Sequence, residues 1–504
     1  MRNYEWMKND TVSIMFSATD SRKTSRLFRI SAILKNEEID PERLRDAVKI
    51  TVQRFPVYLY RNANGFFWTY LEKAEGMPLV LPEEYAPAKL RRLGNDGTPE
   101  IVFIYHKRRL SLETTHVLGD GAGIQELLKT VVAHYLILGG ADRAEFEGIR
   151  LGDDTPSATE LEDPFDRYHN NEKLPKIQRD EAYNIPYTYE KDYQNHISGL
   201  FAISELKAVC KEKNVSLTEC LAVSVILAIL RTAKEPVTKS IIIDVPVNVR
   251  NHFPSDTIRN FTSSIPVTFR PNGRNDFSFE EIADAIRGQI AKMNTKENMQ
   301  AFINSNYALT QNKVLQVIPY FIKKPVLNMM QKKSHTKEMT LIMSNIGNVA
   351  MPEAMSRHVE RIEIVSGDAR VYNMPMFFYI ISANGYMNAV FGLSGKDREL
   401  CTEFYRILAS MGINVRIESA LENGIEDNSP VAPKMCSNCN VRIAEEYSKC
   451  PLCGEKATVT DKADPYFKTA VFAQPYKEYK HPVCRKKNLT ISKERLKAFF
   501  NLDP

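Results

Sequence analysis

At 504 residues, with 43% hydrophobic and 26% charged residues, the chain has the composition of a globular protein too long for one core, so two large domains and something small are expected. A formal net charge of +5, from 67 basic and 62 acidic residues, gives a nucleic-acid role no support. The most apolar run, Leu221 to Leu230, is too short to cross a bilayer, and MRNYEWMKND lacks the apolar core of a secretion signal, so a cytoplasmic protein is expected.

Asp40 and Pro41 open a helix as cap and first residue, and Leu44, Ala47, Val48, Thr51, Val52 and Phe55 form its apolar stripe, which ends before Pro56. Phe66, Phe67, Trp68 and Tyr70 read as a strand packed into the core, and Ile101 to Tyr105 as another. A basic HKRR turn, whose His106 reads as solvated, leads into the alternating residues Leu110 to Thr115. That strand delivers His116. From Ile124 the apolar positions take helical spacing: Ile124, Leu127, Leu128, Val131, Tyr135. A histidine at a strand end, in a glycine-rich turn that Asp120 can pin, suits a general base, because imidazole titrates near neutrality and can take and return a proton. Gly121 and Gly123 permit the turn and close packing after it.

Between Leu151 and Asn195 no period persists, which suggests a long crossover whose tyrosines and Phe165 pack on a surface; His169 and His196 receive no role. A second folded half starts around Gly199. Leu206, Val209 and Cys210 mark one helix, Ser216 and Glu219 form a capping box opening an apolar helix through Leu230, and Cys210 and Cys220 read as core thiols. IIIDVPVNV, Ile241 to Val249, is a buried strand that ends at Arg250. Ser278 and Glu281 open a helix carrying Ile282, Ala285, Ile286 and Ile290 on one face. Thr340 to Met343 is a short strand leading into SNIGNV, Phe377–Ser382 and Met387–Gly392 form a hairpin across Asn384 and Gly385, and a helix from about Lys396 to Met411 packs through Cys401. Two mixed halves with a histidine at a strand end of the first place a ligand cleft between them.

Cys436, Cys439, Cys450 and Cys453 give two C-x2-C knuckles ten residues apart, the pattern of a structural zinc site rather than of disulfides. Four thiolates leave no open coordination position, so catalytic zinc is not expected. Residues from about Asn423 to Lys434 read as a tether, His481 and Cys484 as incidental, and Leu496, Phe499 and Phe500 as a last docking turn after an aromatic tail from Tyr466. The expected division is 1–150, a crossover 151–195, a second half 196–422, a ribbon 430–460 and a tail 461–504.

The order HVLGDG, capped apolar helix, VPVNVR, SNIG, hairpin and helix resembles the chloramphenicol-acetyltransferase-like superfamily, which includes nonribosomal-peptide condensation domains, plant BAHD acyltransferases and alcohol acetyltransferases. Within it the chain is most similar to bacterial proteins labelled alcohol acetyltransferase that carry a C-terminal zinc ribbon, and the resemblance covers most of residues 1–415. It implies an α/β fold of two subdomains forming a V with a central tunnel. It also implies direct transfer of an acetyl or longer acyl group from a thioester, acyl-CoA or acyl-carrier protein, to a small-molecule alcohol or amine. His116 would be the general base, and Asp120 an architectural residue paired with an arginine. Arg250 is the candidate partner from its place at the end of its strand. Ser344 and Asn345 would donate to the oxyanion, or alternatively just turn the chain with Gly347. Thr115 stands where condensation domains carry a first histidine, which favours an ester over an amide product, and no DFGWG string of the plant enzymes is present. The residues that would bind the donor are not indicated. Acyl-CoA is the expected co-substrate, zinc the structural metal, nucleic acid is not an expected partner, and peripheral membrane contact is compatible with the absence of a spanning segment. The alternatives are a scaffold of the same fold using the ribbon for partner contact, and an amide-forming condensation enzyme.

Overall fold

Strands and helices alternate along both halves of the chain in the computed structural model, which describes residues 6–19, 27–83, 93, 97–152, 154–172, 179–188, 195–366, 374–419, 434–443 and 447–459. In the first half, β1 (Trp6–Lys8), α1 (Thr11–Thr19), β2 (Leu27–Leu34) and α2 (Pro41–Arg54) precede β3 (Tyr60–Asn64), β4 (Thr69–Lys73), β5 (Leu79–Pro82), β6 (Ile101–His106), β7 (Arg109–Thr115) and α3 (Gly121–Leu138). The crossover contributes α4 (Pro164–Tyr168). The second half runs β8 (Asn195–Ala202), α5 (Ile203–Glu212), α6 (Leu217–Thr232), β9 (Ile241–Asn248), β10 (Thr262–Phe269), α7 (Phe279–Ile286), α8 (Gln289–Met293), α9 (Lys296–Thr310), α10 (Lys313–Val317) and α11 (Tyr320–Glu338). It continues with β11 (Leu341–Asn348), α12 (Glu353–His358), β12 (Val359–Ser366), β13 (Met376–Ala383), β14 (Tyr386–Leu393) and α13 (Glu399–Ser410). Last come β15 (Arg416–Ser419), β16 (Lys434–Cys436), β17 (Val441–Ile443) and β18 (Thr458–Val459).

Local signals act as expected at several ends. Asp40 accepts from the amides of Glu42 and Arg43 at the start of α2, and both Ser216–Glu219 and Ser278–Glu281 close reciprocal capping boxes. Asn384 and Gly385, at φ 50° and 82°, make the turn between β13 and β14. The crossover is anchored by Arg54, whose guanidinium donates two 2.7 Å bonds to Glu160, while Phe165 is buried against Phe261.

Four readings change. Phe66 and Phe67 are not core residues: they sit exposed in the turn between β3 and β4, because three consecutive aromatics cannot all face one side of a strand. His106 is half-buried rather than solvated, and burial followed by the neighbouring Arg109 lowers its pKa. Gly288 in the left-handed region, φ 71°, ends the helix opened by Ser278, so Ile290 belongs to α8. The strand expected at Thr340–Met343 extends through SNIG to Asn348.

The sheets tie the halves together. A five-stranded sheet has the order β12-β2-β7-β6-β5, so β12, from within residues 196–422, is the outermost strand beside β2 of the first half. The other large sheet runs β10-β9-β11-β13-β14-β8-β15-β17-β16-β18. The four cysteines therefore lie in strands and turns that continue the second half's sheet through the parallel pair β15–β17, not in a separate bead. Val441, Tyr447 and Leu452 share one core with Tyr405 and Ile417. The expected tether falls mostly, and the 461–504 tail with its aromatics, His481 and Cys484 wholly, outside the described residues.

A seam of buried charge joins the two sheets. Arg29 pairs with Glu113 and Glu83, Glu83 also with Arg109, and Arg361 on β12 bonds Glu363 at 2.8 Å and lies 3.8 Å from Glu418 on β15. Burial pushes the Glu83 carboxyl up, but Arg109 and Arg29 more than offset this and hold it at about 2. A folded-state value below the unfolded one contributes stability that is complete above the unfolded carboxylate range, near pH 4.3, and disappears as pH falls toward 2. Stability measured by denaturant titration is expected to fall by about 3 kcal/mol more between pH 5 and 2 in the wild type than in Glu83→Gln, which has no carboxylate to protonate. Parallel pH profiles would show that Glu83 is not so held.

Candidate active site

Strand β7 carries the motif to the junction of the halves. His116, directly after it, is half-buried, and its ring stacks on two phenylalanines: Phe28 of β2 with centroids 4.4 Å apart and Phe16 of α1 at 4.9 Å, both near-parallel at 29° and 28°. Its Nδ1 is buried. Stacking of this kind fixes the plane of an imidazole without using its nitrogens.

The backbone of the turn is held from the second half. Asn260 donates from Nδ2 to the His116 carbonyl at 2.8 Å and to Asp10 at 3.2 Å, and Ser13 of α1 donates to the Val117 carbonyl at 2.8 Å. Asp120, 1% exposed, caps α3 by accepting from the amides of Ala122 and Gly123, so the helix starts at Gly121 and not at Ile124. Arg250 donates to both Asp120 oxygens, at 2.8 and 3.3 Å, and the Phe261 amide donates to one of them at 2.8 Å. The guanidinium is itself fixed by the carbonyls of Thr257 and Arg259, at 2.9 and 2.7 Å. Residues 248–261 thus wrap the motif turn. Glycine is required for that approach: a Cβ on Gly123 would stand 2.0 Å, and one on Gly119 2.5 Å, from the Ile258 carbonyl oxygen. Tyr58, fully buried, points its hydroxyl at the same turn, and burial together with the Asp120 charge raises its pKa.

SNIG approaches from the other side through Ile346, whose side chain would lie 3.8 Å from a Cβ on Gly121. Asn345 donates to Thr218 Oγ1 at 3.0 Å and accepts from the Gly347 amide at 3.0 Å, with Gly347 at φ 85° in a bulge of β11. Asn345 is therefore locked to α6 and its own turn, with one amide hydrogen beyond the Thr218 bond, while Ser344 pairs in register with Tyr379. The structure brings His116, Asp120 and Arg250 into one assembly and sets Ser344 and Asn345 on the strand that flanks it. Phe16, Phe28, Asn260 and the Phe261 amide escape sequence reasoning. Asn260 meets His116 over 144 residues, and no local period marks such a contact.

At the far end of the second sheet the four cysteine sulfurs all lie within 4.8 Å of one another. Tetrahedral zinc with bonds of about 2.3 Å sets its sulfurs roughly 3.8 Å apart, so the donor set fits that ion. Each knuckle closes the same way: the residue after the second cysteine, Asn440 at φ 52° or Gly454 at 77°, donates its amide to the first cysteine's carbonyl at 2.8 or 2.9 Å. A hydrogen bond from Cys450, with the Arg406 guanidinium nearby, draws the Cys439 thiol down, the direction a thiolate ligand needs. These residues could hold zinc, which would supply a cross-link between knuckles that have little core of their own. Atomic emission is expected to find one zinc per chain, and Cys439→Ser to lose it and to lower the melting temperature, since Thr402 and Arg398 of the second half bond to the carbonyls of Leu452 and Pro451. A metal-free protein of unchanged melting temperature would refute the assignment.

No family model matches this sequence, and no curated protein matches it. Solved structures do. The trichothecene 15-O-acetyltransferase TRI3 of Fusarium sporotrichioides superposes with a TM-score of 0.53 at 11% identity, over 81% of this chain and 96% of that one. TRI101 of the same organism, solved with coenzyme A and T-2, gives 0.51 at 12% identity over 81% and 99%. Polyketide synthase associated protein 5 of Mycobacterium tuberculosis gives 0.50 at 13% identity over 80% and 96%. At such identities the likeness is one of fold: the chain has the fold of these acetyltransferases.

Proposed function

We propose that the protein is an acyltransferase that moves an acetyl or longer acyl group from a thioester donor, acyl-CoA being the expected one, to the hydroxyl of a small molecule. The observation that carries this reading is the half-buried His116, its imidazole stacked on Phe16 and Phe28, in a chain whose fold is that of an acetyltransferase. Nδ1 is buried, and in this scheme Nε2 is the nitrogen assigned to the reactant. It takes the hydroxyl proton as the acceptor oxygen attacks the thioester carbonyl. The carbon–oxygen bond forms, the oxyanion collapses, the carbon–sulfur bond breaks, and the imidazolium returns the proton to the departing thiolate. Ser344 and the second amide hydrogen of Asn345 are the donors proposed for the oxyanion, each worth about 3 kcal/mol of barrier. Asp120 and Arg250 touch neither reactant in this scheme: they position the turn that holds the base.

TRI101 was solved with coenzyme A, which supports a CoA thioester as donor. The test is release of free thiol from acetyl-CoA and longer acyl-CoAs against a panel of alcohols and amines. Ester products support the reading. Amides alone would move the assignment to a condensation enzyme, and donor binding without thiol release would leave a scaffold.

A further inference from the structure

Among the described residues, most of the large exposed apolar side chains gather in one place. Along α11, Tyr320, Lys323 and Leu327 face inward, while Phe321, Ile322, Val326, Met329 and Met330 lie on the opposite side and are 48–70% exposed. In α10, just before it, Val314 and Val317 are 66% and 68% exposed. The Phe66–Phe67 turn joins this surface, since the Tyr320 amide donates to the Phe66 carbonyl at 2.7 Å and Lys323 Nζ sits 3.2 Å from the centroid of Trp68. A helix that packs its narrow side and turns its apolar stripe outward is the reverse of the usual arrangement, and a contiguous patch of this kind marks an interaction site.

Charge identifies the occupant. Residues 313–338 hold six lysines and one acid, so the whole formal surplus of +5 resides in this segment and the remainder of the chain is balanced. Lys313, Lys332, Lys333 and Lys337 are exposed at the two ends of the apolar stripe. Large apolar side chains flanked by lysines are what an interfacial helix presents to an anionic bilayer, with the former entering the acyl region and the latter meeting phosphates. A second copy fits worse, because a two-fold contact would bring two lysine sets together with only Glu338 to oppose them. No single helix among the described residues is long and apolar enough to cross a membrane. We propose that α10, α11 and the Phe66–Phe67 turn form a docking surface by which the protein lies on anionic lipid membranes. The surface is close to the histidine: Gln331 of α11 donates to the Met15 carbonyl of α1 at 3.3 Å, and the next residue, Phe16, covers the imidazole.

Sedimentation with vesicles tests this. The full chain is expected to partition at least about tenfold more strongly onto phosphatidylcholine vesicles containing 30% phosphatidylglycerol than onto phosphatidylcholine alone, and to be released by salt. Phe321→Ser with Met329→Ser, and separately Lys332→Gln with Lys333→Gln, should each weaken binding by about tenfold or more, whereas Leu138→Ser, 46% exposed on α3, should not. The chain's two tryptophans, Trp6 and Trp68, lie on the small sheet β1-β4-β3 or in its turn beside α11, and their emission should shift to the blue on binding. All three variants change exposed side chains, so unchanged melting temperatures check their folding. Failure of the wild type to bind any vesicle, equal binding by all variants, or a dimer in ultracentrifugation that Phe321→Ser with Met329→Ser dissociates would overturn the proposal.

Discussion

Replacing His116 with alanine is expected to lower thioester-dependent transfer by about two to four powers of ten, the usual contribution of a general base, while the protein stays folded. The two expectations separate because the bonds that tie the residue to Asn260 and to its own turn run through backbone. The carbonyl that receives the Asn260 amide survives in alanine, as does the 115–118 turn bond. The ring that stacks on Phe16 and Phe28 is lost, and such stacking is worth about 1 kcal/mol per pair. A melt of wild type and variant should therefore differ little, and thiol release should differ greatly. Equal release would remove His116 as the base and leave the fold without its proposed chemistry.

Asp120→Asn is expected to act first on stability. Its carboxylate accepts from five donors: the amides of Ala122, Gly123 and Phe261 and two nitrogens of Arg250. An asparagine keeps one accepting oxygen and leaves Arg250, with a side chain only 13% exposed, without its counter-charge. Breaking a buried pair on one side costs about 3 to 5 kcal/mol, far more than the pair adds over a neutral replacement. Denaturant titration should show that loss in Asp120→Asn, a comparable one in Arg250→Met, and in the double variant a loss well below the sum of the two. Additive losses under about 1 kcal/mol would mean that the pair does not hold the turn. A fall in transfer rate should accompany the stability loss, because the same turn carries His116.

The sequence discloses features whose cause lies within a few residues. Capping boxes, the Asn384–Gly385 hairpin, the apolar helix α6 and the cysteine knuckles all follow from local spacing. Asp120 is legible as a candidate from its place in the glycine-rich turn after His116, and Arg250 from its place after a strongly β-branched strand. Phe66 and Phe67 read wrongly because aromatic content was taken for burial, although three aromatics in succession break the period that burial in a strand demands. The helical segment 296–338 escapes notice for a related reason: its stripe faces outward and Pro325 interrupts it, so the pattern that marks a core helix is inverted. The ion seam and the aromatic clamp on His116 depend on sheet order, which single-chain periodicity does not encode.

One strand has a further consequence for biosynthesis. The outermost partner of β2 is not translated until residue 359, more than three hundred residues after β2 itself. A nascent chain emerging from the ribosome must carry an open sheet margin at Leu27–Leu34 through most of elongation. Severing the gene between the lobes should therefore yield fragments that precipitate unless co-expressed, and truncation products should be cleared by proteases rather than accumulate.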